Sequence, residues 1–137
     1  MSISAIRSAL ETALMTLSPS LSTSTAWQNV PFKPAAGQPY QRVDLMLAMP
    51  DDRELGGPNF LERGIFQVTL LYPIGTGSGD ATVRAEMIRS LFKQRATFTA
   101  SGINVIITNV PEVPPALIDG DRYAQPVRVR FQASCPM

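Results

Sequence analysis

Ile3, Ile6, Leu10, Leu14 and Leu17 recur at three- and four-residue steps and form one stripe, which predicts an amphipathic helix over residues 2–17. Its apolar side is expected to cover one face of a sheet. Ser18 and Pro19 end it, and the Ser/Thr-rich run 18–25 reads as a polar connector. A short strand is expected over 27–30. Residues 40–49 alternate as a strand does, with Val43, Leu45, Leu47 and Met49 on one face and Arg42 and Asp44 on the other. Residues 65–72 form a second long strand, apolar on both faces, as a central and doubly covered strand is. The charged, Gly-Gly-containing stretch between them, DDRELGGPN at 51–59, makes the pair an extended hairpin.

The Gly-rich run PIGTGSG at 73–79 reads as a turn, with Asp80 as N-cap of a helix over 81–95. Val83, Met87, Ile88, Leu91 and Phe92 are its expected apolar face. Lys93 and Arg95 fall in its last turn, where the helix dipole favours cations. A strand over 97–100, a Ser101-Gly102 turn and a β-branched strand over 103–110 follow. Residues 113–118 are weakened by Pro114 and Pro115, as an edge segment is. Asp119-Gly120 marks a tight turn into a last strand over 122–133, with Tyr123, Val127, Val129 and Phe131 inward and Arg128, Arg130 and Gln132 outward. Strands grouped between helices give an α+β fold: a mixed, mostly antiparallel sheet of five to six strands with two main helices on it.

The 137 residues suit a single domain spanning the chain, without repeats or linkers. Apolar residues make up 45% and charged residues 17%, which leaves much neutral surface for contacts with other subunits. A net charge of +1 lacks the basic excess that stable nucleic-acid binding requires. Ten of the 12 basic residues are Arg, whose planar fork suits interfaces. With no His, His-based triads and His-ligated zinc are excluded. The single Cys135 rules out an intrachain disulfide, and its place near the chain end suggests a frayed tail. No run is long enough to span a membrane, and the N-terminus lacks a signal-peptide pattern, so a cytoplasmic setting is expected.

Candidate chemistry is sparse. The loop at Gly75, Gly77 and Gly79 lies between a strand and a helix, where backbone amides can hold phosphate. It ends in Gly-Asp rather than Gly-Lys-Ser/Thr, and Asp80 repels phosphate, so a small-ligand or nucleotide-binding role is the alternative reading. Asp51, Asp52 and Glu54, and separately Asp119 and Asp121, lack calcium-loop spacing and read as solvated loops. Arg128 and Arg130 alternate with an apolar strand face and are open to DNA, to a partner's carboxylates or to solvent. No catalytic, cofactor or metal residue is assigned.

The stretch AWQNVPFKPAAGQPYQRVDL at 26–45 carries the single Trp27, with Phe32 and Tyr40, on a backbone that Pro31, Pro34, Gly37 and Pro39 keep out of a helix. Large aromatics on a stiff connector point to work done by surfaces. This connector, the hairpin after it, the strand ending Leu71-Tyr72-Pro73 with Gly75 and Gly77, and the helix over 81–92 resemble the tail terminator family of long-tailed bacteriophages, including prophage proteins.

The resemblance implies a structural, non-enzymatic α+β subunit in a hexameric ring. That ring caps the tail tube protein, stops its polymerisation and meets a head-completion or connector protein; another head–tail joining or neck role is the neighbouring alternative. DNA passes through the hole without stable binding, and no membrane or cofactor is involved. Assembly takes place in the host cytoplasm and ends at the head-proximal tail of the virion. The resemblance makes Asp51, Asp52, Arg53 and Glu54 interface residues, with Arg128 and Arg130 as further interface candidates, while Trp27, Phe32 and Tyr40 pack the connector.

Overall fold

The computed structural model describes residues 2–16, 25–28, 30, 33, 39–48, 59–75, 79–120 and 122–136. In chain order these form α1 (Ser2–Leu14), β1 (Thr25–Ala26), β2 (Tyr40–Leu47), β3 (Asn59–Pro73), α2 (Gly79–Leu91), β4 (Thr97–Ala100), β5 (Ile103–Ile107), β6 (Leu117–Asp119) and β7 (Arg122–Pro136). The strands build one seven-stranded sheet in the order β1-β2-β3-β7-β5-β4, with β6 added to β7. Among the described strands only β1 and β2 run parallel; the other pairs are antiparallel. The fold is α+β, as the element order predicts.

The spine is the β3–β7 ribbon, which pairs from Asn59↔Pro136 to Pro73↔Arg122. On one face Phe66, Val68 and Leu70 of β3 and Val127, Val129 and Phe131 of β7 are buried. Both helices pack there. α1 inserts Ile6, Leu10 and Leu14, while Ala5, Ala9 and Ala13 beside them are also buried, so the helix axis lies close to its neighbours. Each of the three large side chains contributes about 1.5–3 kcal/mol by leaving water. α2 inserts Ile88, and Phe92 just beyond it stacks tilted on Phe66 and Phe98 at 5.8 and 5.2 Å. No helix lies on the opposite face of β3 among the described residues, yet Thr69 and Leu71 on that face are 3% and 1% exposed while Ile65 and Gln67 are half-buried, so the expected double cover is met at the Leu71 end and only partly at the other.

Several local expectations change. Ile3 is 45% exposed, outside the core stripe of α1. The short strand lies at Thr25–Ala26, before rather than over 27–30, and β2 ends at Leu47, which is exposed. β3 starts at Asn59, six residues earlier than the apolar pattern suggests, because residues 59–64 pair with the far end of β7. Asp80 is the second residue of α2, and that helix stops at Leu91, leaving Lys93 and Arg95 beyond it. Arg95 adopts φ 73, which closes the passage into β4.

The sheet-facing stripe of α2 is Ala81, Arg84, Ala85 and Ile88, while Val83 is 58% exposed. Ile88 and Phe92 occupy core seats, and their angular positions bring 81, 84 and 85 to the sheet in place of 83. Cys135 is fully buried in β7, opposite Phe60, and not in a frayed tail. It is held by the ladder that extends β7 to Pro136.

Candidate assembly surfaces

The face of the sheet away from the helices presents rows of paired side chains. Asp44, Gln67, Arg128 and Glu112 follow one another across β2, β3, β7 and the segment beside it. Arg42 lies 3.8 Å from Asp44. Arg128 donates from Nε to Gln67 Oε1 at 3.2 Å, and Arg130 reaches Glu112 Oε1 at 3.4 Å. The Arg130–Glu112 pair is about half exposed on both sides, so it orients side chains more than it stabilises them. Farther along, Tyr40 is half-buried and the Arg122 guanidinium stands 5.1 Å over its ring. Below these rows, Met46, Arg63, Ile65, Thr108, Arg130 and Gln132 line a shallow concavity of about 450 Å³.

A second surface is the segment between β5 and β7. It exposes Val110, Val113, Leu117 and Ile118 by 57%, 36%, 58% and 62%. These side chains sit on backbone that is firmly tied. Glu112 and Arg128 exchange backbone hydrogen bonds of 2.9 and 2.8 Å. Arg89 of α2 donates from Nε to the Pro111 carbonyl at 3.1 Å, and Gln125 donates to the Pro114 carbonyl at 2.7 Å. Backbone pairing of Leu117 with Ala124 and Asp119 with Arg122 completes the attachment. Gly120, at φ 61, makes the turn.

A third surface flanks β1. Gln28 Oε1 accepts from Arg7 Nη1 and from the Leu45 backbone N–H, both at 2.9 Å, which locks the segment after β1 between α1 and β2. Trp27 packs partly against the core there. With Arg7, Glu11, Met15 and Val30 it lines a hollow of about 530 Å³. Arg7 lies 3.6 Å from Glu11, whose carboxyl burial pushes upward in pKa against the opposing pull of Arg7.

The interior holds one polar chain that the sequence pattern does not announce. Arg84 is 4% exposed, and its Nη2 donates to Gln41 Oε1 at 3.4 Å; Gln41 Nε2 donates in turn to Thr25 Oγ1 at 3.1 Å. The chain joins α2, β2 and β1 through side chains buried to 5% exposure or less. Burial lowers the Arg84 pKa against the pull of Tyr72, and burial raises that of Tyr72.

No group of three or more His, Cys, Asp or Glu residues placed to hold a metal occurs among the described residues. A family model described as phage tail terminator protein matches residues 5–131, which takes in α1 from Ala5, all of α2 and all but the last residues of β7. The chain belongs to the phage tail terminator family. Its role is in phage tail assembly, the family is a structural one, and a tail protein's place is the virion tail. A solved structure that bears no functional description is similar to it, at 28% identity over 97% of this chain and 96% of its own, with a TM-score of 0.79. No curated protein matches. No described helix is long and apolar enough to cross a membrane.

Of the candidate residues of this terminator-family chain, Arg128, Arg130 and Tyr40 share the sheet face away from the described helices, with Tyr40 at the far end beside Arg122. Trp27 lies apart, on the β1 flank. Asp51, Asp52, Arg53, Glu54 and Phe32 lie outside the described residues, as does the middle of the Gly75–Gly79 loop. The sequence pattern puts Val110 at the end of a strand over 103–110 and residues 113–118 in an edge segment, and marks no exposed apolar strip there. The signal for it is four large apolar residues placed around a Pro-Pro step, where no sheet face can absorb them all.

Proposed function

We propose that this chain caps the end of the phage tail tube, stops its polymerisation and joins the tail to the head connector, acting as a hexameric ring. The family match over residues 5–131 carries this reading. The rigid, exposed apolar strip and the locked β1 flank support it, because preordered surfaces lose little freedom on assembly. The small net charge of +1 suits a ring through which DNA slides. Assembly is then expected in the host cytoplasm, with the protein ending at the head-proximal end of the tail.

The test is electron microscopy of particles made without this protein. Overlong tails are the expected result. Tails of normal length that fail to join heads would instead assign a neck role, and intact virions would overturn the reading. Sedimentation of the purified chain, alone and with tail tubes, checks the ring: a monomer under both conditions would sink it.

A further inference from the structure

We propose that β6 and its flanking strip on one copy dock into the Trp27 hollow beside β1 on the next copy, head to tail. The idea rests on the ring reading above and names the surfaces that would form its contact.

Among the described residues, twelve large apolar side chains are exposed, and five of them, Ile106, Val110, Val113, Leu117 and Ile118, fall within 13 consecutive positions. That density marks a contact surface, since monomers scatter such residues singly. β6 pairs only with β7 among the described strands, so its outer row of backbone groups faces away from the sheet. A natural protein covers or blunts such an edge. Here the edge is apolar on both faces and held still by Gln125, Arg89 and the Glu112–Arg128 bridge.

The sheet itself points to a second copy as the occupant. β1 is the opposite edge at nearly the same level: Ala26 aligns through Arg42 and Thr69 with Pro126, and Leu117 aligns with Ala124. Four strand spacings, roughly 19 Å, separate the two edges. One edge is a ridge carrying Leu117 and Ile118. Beside the other is a hollow with Met15 and Val30 49% and 55% exposed at its rim. Two unlike patches on opposite sides of one subunit make a heterologous contact, the kind that closes into rings.

Charge selects this pairing over ridge against ridge. β6 ends in Asp119, so ridge against ridge would bring like charges together, whereas the hollow holds Arg7 paired with Glu11 and carries no net charge against it.

The experiment uses the full chain. Ile118→Asp and Val30→Asp, made separately, are expected to weaken self-association at least tenfold by sedimentation while leaving the circular dichroism spectrum intact. Val83→Asp, on the outer side of α2, is the control expected to assemble normally. Should Ile118→Asp fail to fold, Ile118→Thr replaces it. The double variant Val30→Cys with Ile118→Cys is expected to give a ladder of oxidised oligomers on non-reducing gels, and neither single variant should. An oligomer that survives both Asp substitutions overturns this docking and leaves the ring standing. A cross-linked dimer from Ile118→Cys alone also overturns it, in favour of a two-fold contact. A wild-type chain monomeric even on tail tubes removes the ring reading itself.

Discussion

The side-chain amide of Gln125, on β7, donates to the carbonyl oxygen of Pro114 at 2.7 Å. Pro114 and Pro115 offer no backbone N–H to a ladder, so the approach to β6 cannot be held by ordinary strand pairing. Gln125, 9% exposed, supplies the tie from the side. The same amide also donates to the Pro126 carbonyl at 3.0 Å, which fixes its rotamer.

Gln125→Leu therefore leaves a partly buried carbonyl without its donor, at a cost of about 1–3 kcal/mol. Amide exchange should accelerate at Leu117–Asp119 while the Phe66 and Val68 amides stay protected. Equal acceleration throughout would show that Gln125 supports the whole sheet and not this segment.

Gly64 marks a close approach of β3 to β2. A Cβ there would overlap the carbonyl oxygen of Met46 and stand 3.1 Å from the Leu47 Cα, both rigid backbone. Gly64→Ala is expected to lower stability by about 1–3 kcal/mol, as overpacking does. Thermal unfolding measures it, and an unchanged midpoint would contradict the strand spacing at Leu47↔Gly64.

Tyr72 gives the protein an alkaline limit. Burial raises its pKa above 10.0, with Arg84 pulling it down and Asp80 pushing it up. The unfolded chain then loses this proton first, so between the unfolded and folded values the native state binds more protons and stability falls as pH rises. The contribution is complete below pH 10.0 and is lost on passing through the folded value. Tyr72→Phe should flatten the fall in denaturation midpoint above that pH. A curve parallel to wild type would remove Tyr72 as the cause.

Arg84 should tolerate loss of charge better than loss of its stem. The aliphatic part of the side chain fills space between α2 and the sheet, while the head serves Gln41 at 3.4 Å. Arg84→Met is expected to destabilise less than Arg84→Ala, which adds a cavity to the lost hydrogen bond. Urea midpoints of the two variants, compared with Val83→Ala on the exposed side, test the order.

The Cys135 thiol, fully buried in β7, should react with a disulfide reagent orders of magnitude more slowly in native than in denatured protein. Fast native labelling would restore the frayed tail that its position in the sequence suggests.

Much of this architecture is local information. The 3.6-residue stripe of Ile6, Leu10 and Leu14, the alternation around Val43 and Leu45, and the Ser101-Gly102 turn, now seen with φ of 50 and 78, were legible because each depends on neighbours a few residues away. The aromatic connector with its hairpin was distinctive enough to point to the family. The remainder depends on which strands meet. Residues 59–64 and 134–136 are strand because β3 and β7 pair end to end, and that pairing buries Cys135. Val83 yields its place to Arg84 because the core seats of Ile88 and Phe92 set the rotation of α2, and Gln41, 43 residues away in sequence, offers Arg84 an acceptor there. Arg128, Arg130 and Tyr40 share a face, and Val110 to Ile118 stand on a ridge, only because strand pairing assigns the described helices to the other side of the sheet. Periodicity shows that a side chain has an inside and an outside; long-range pairing decides what each of them meets.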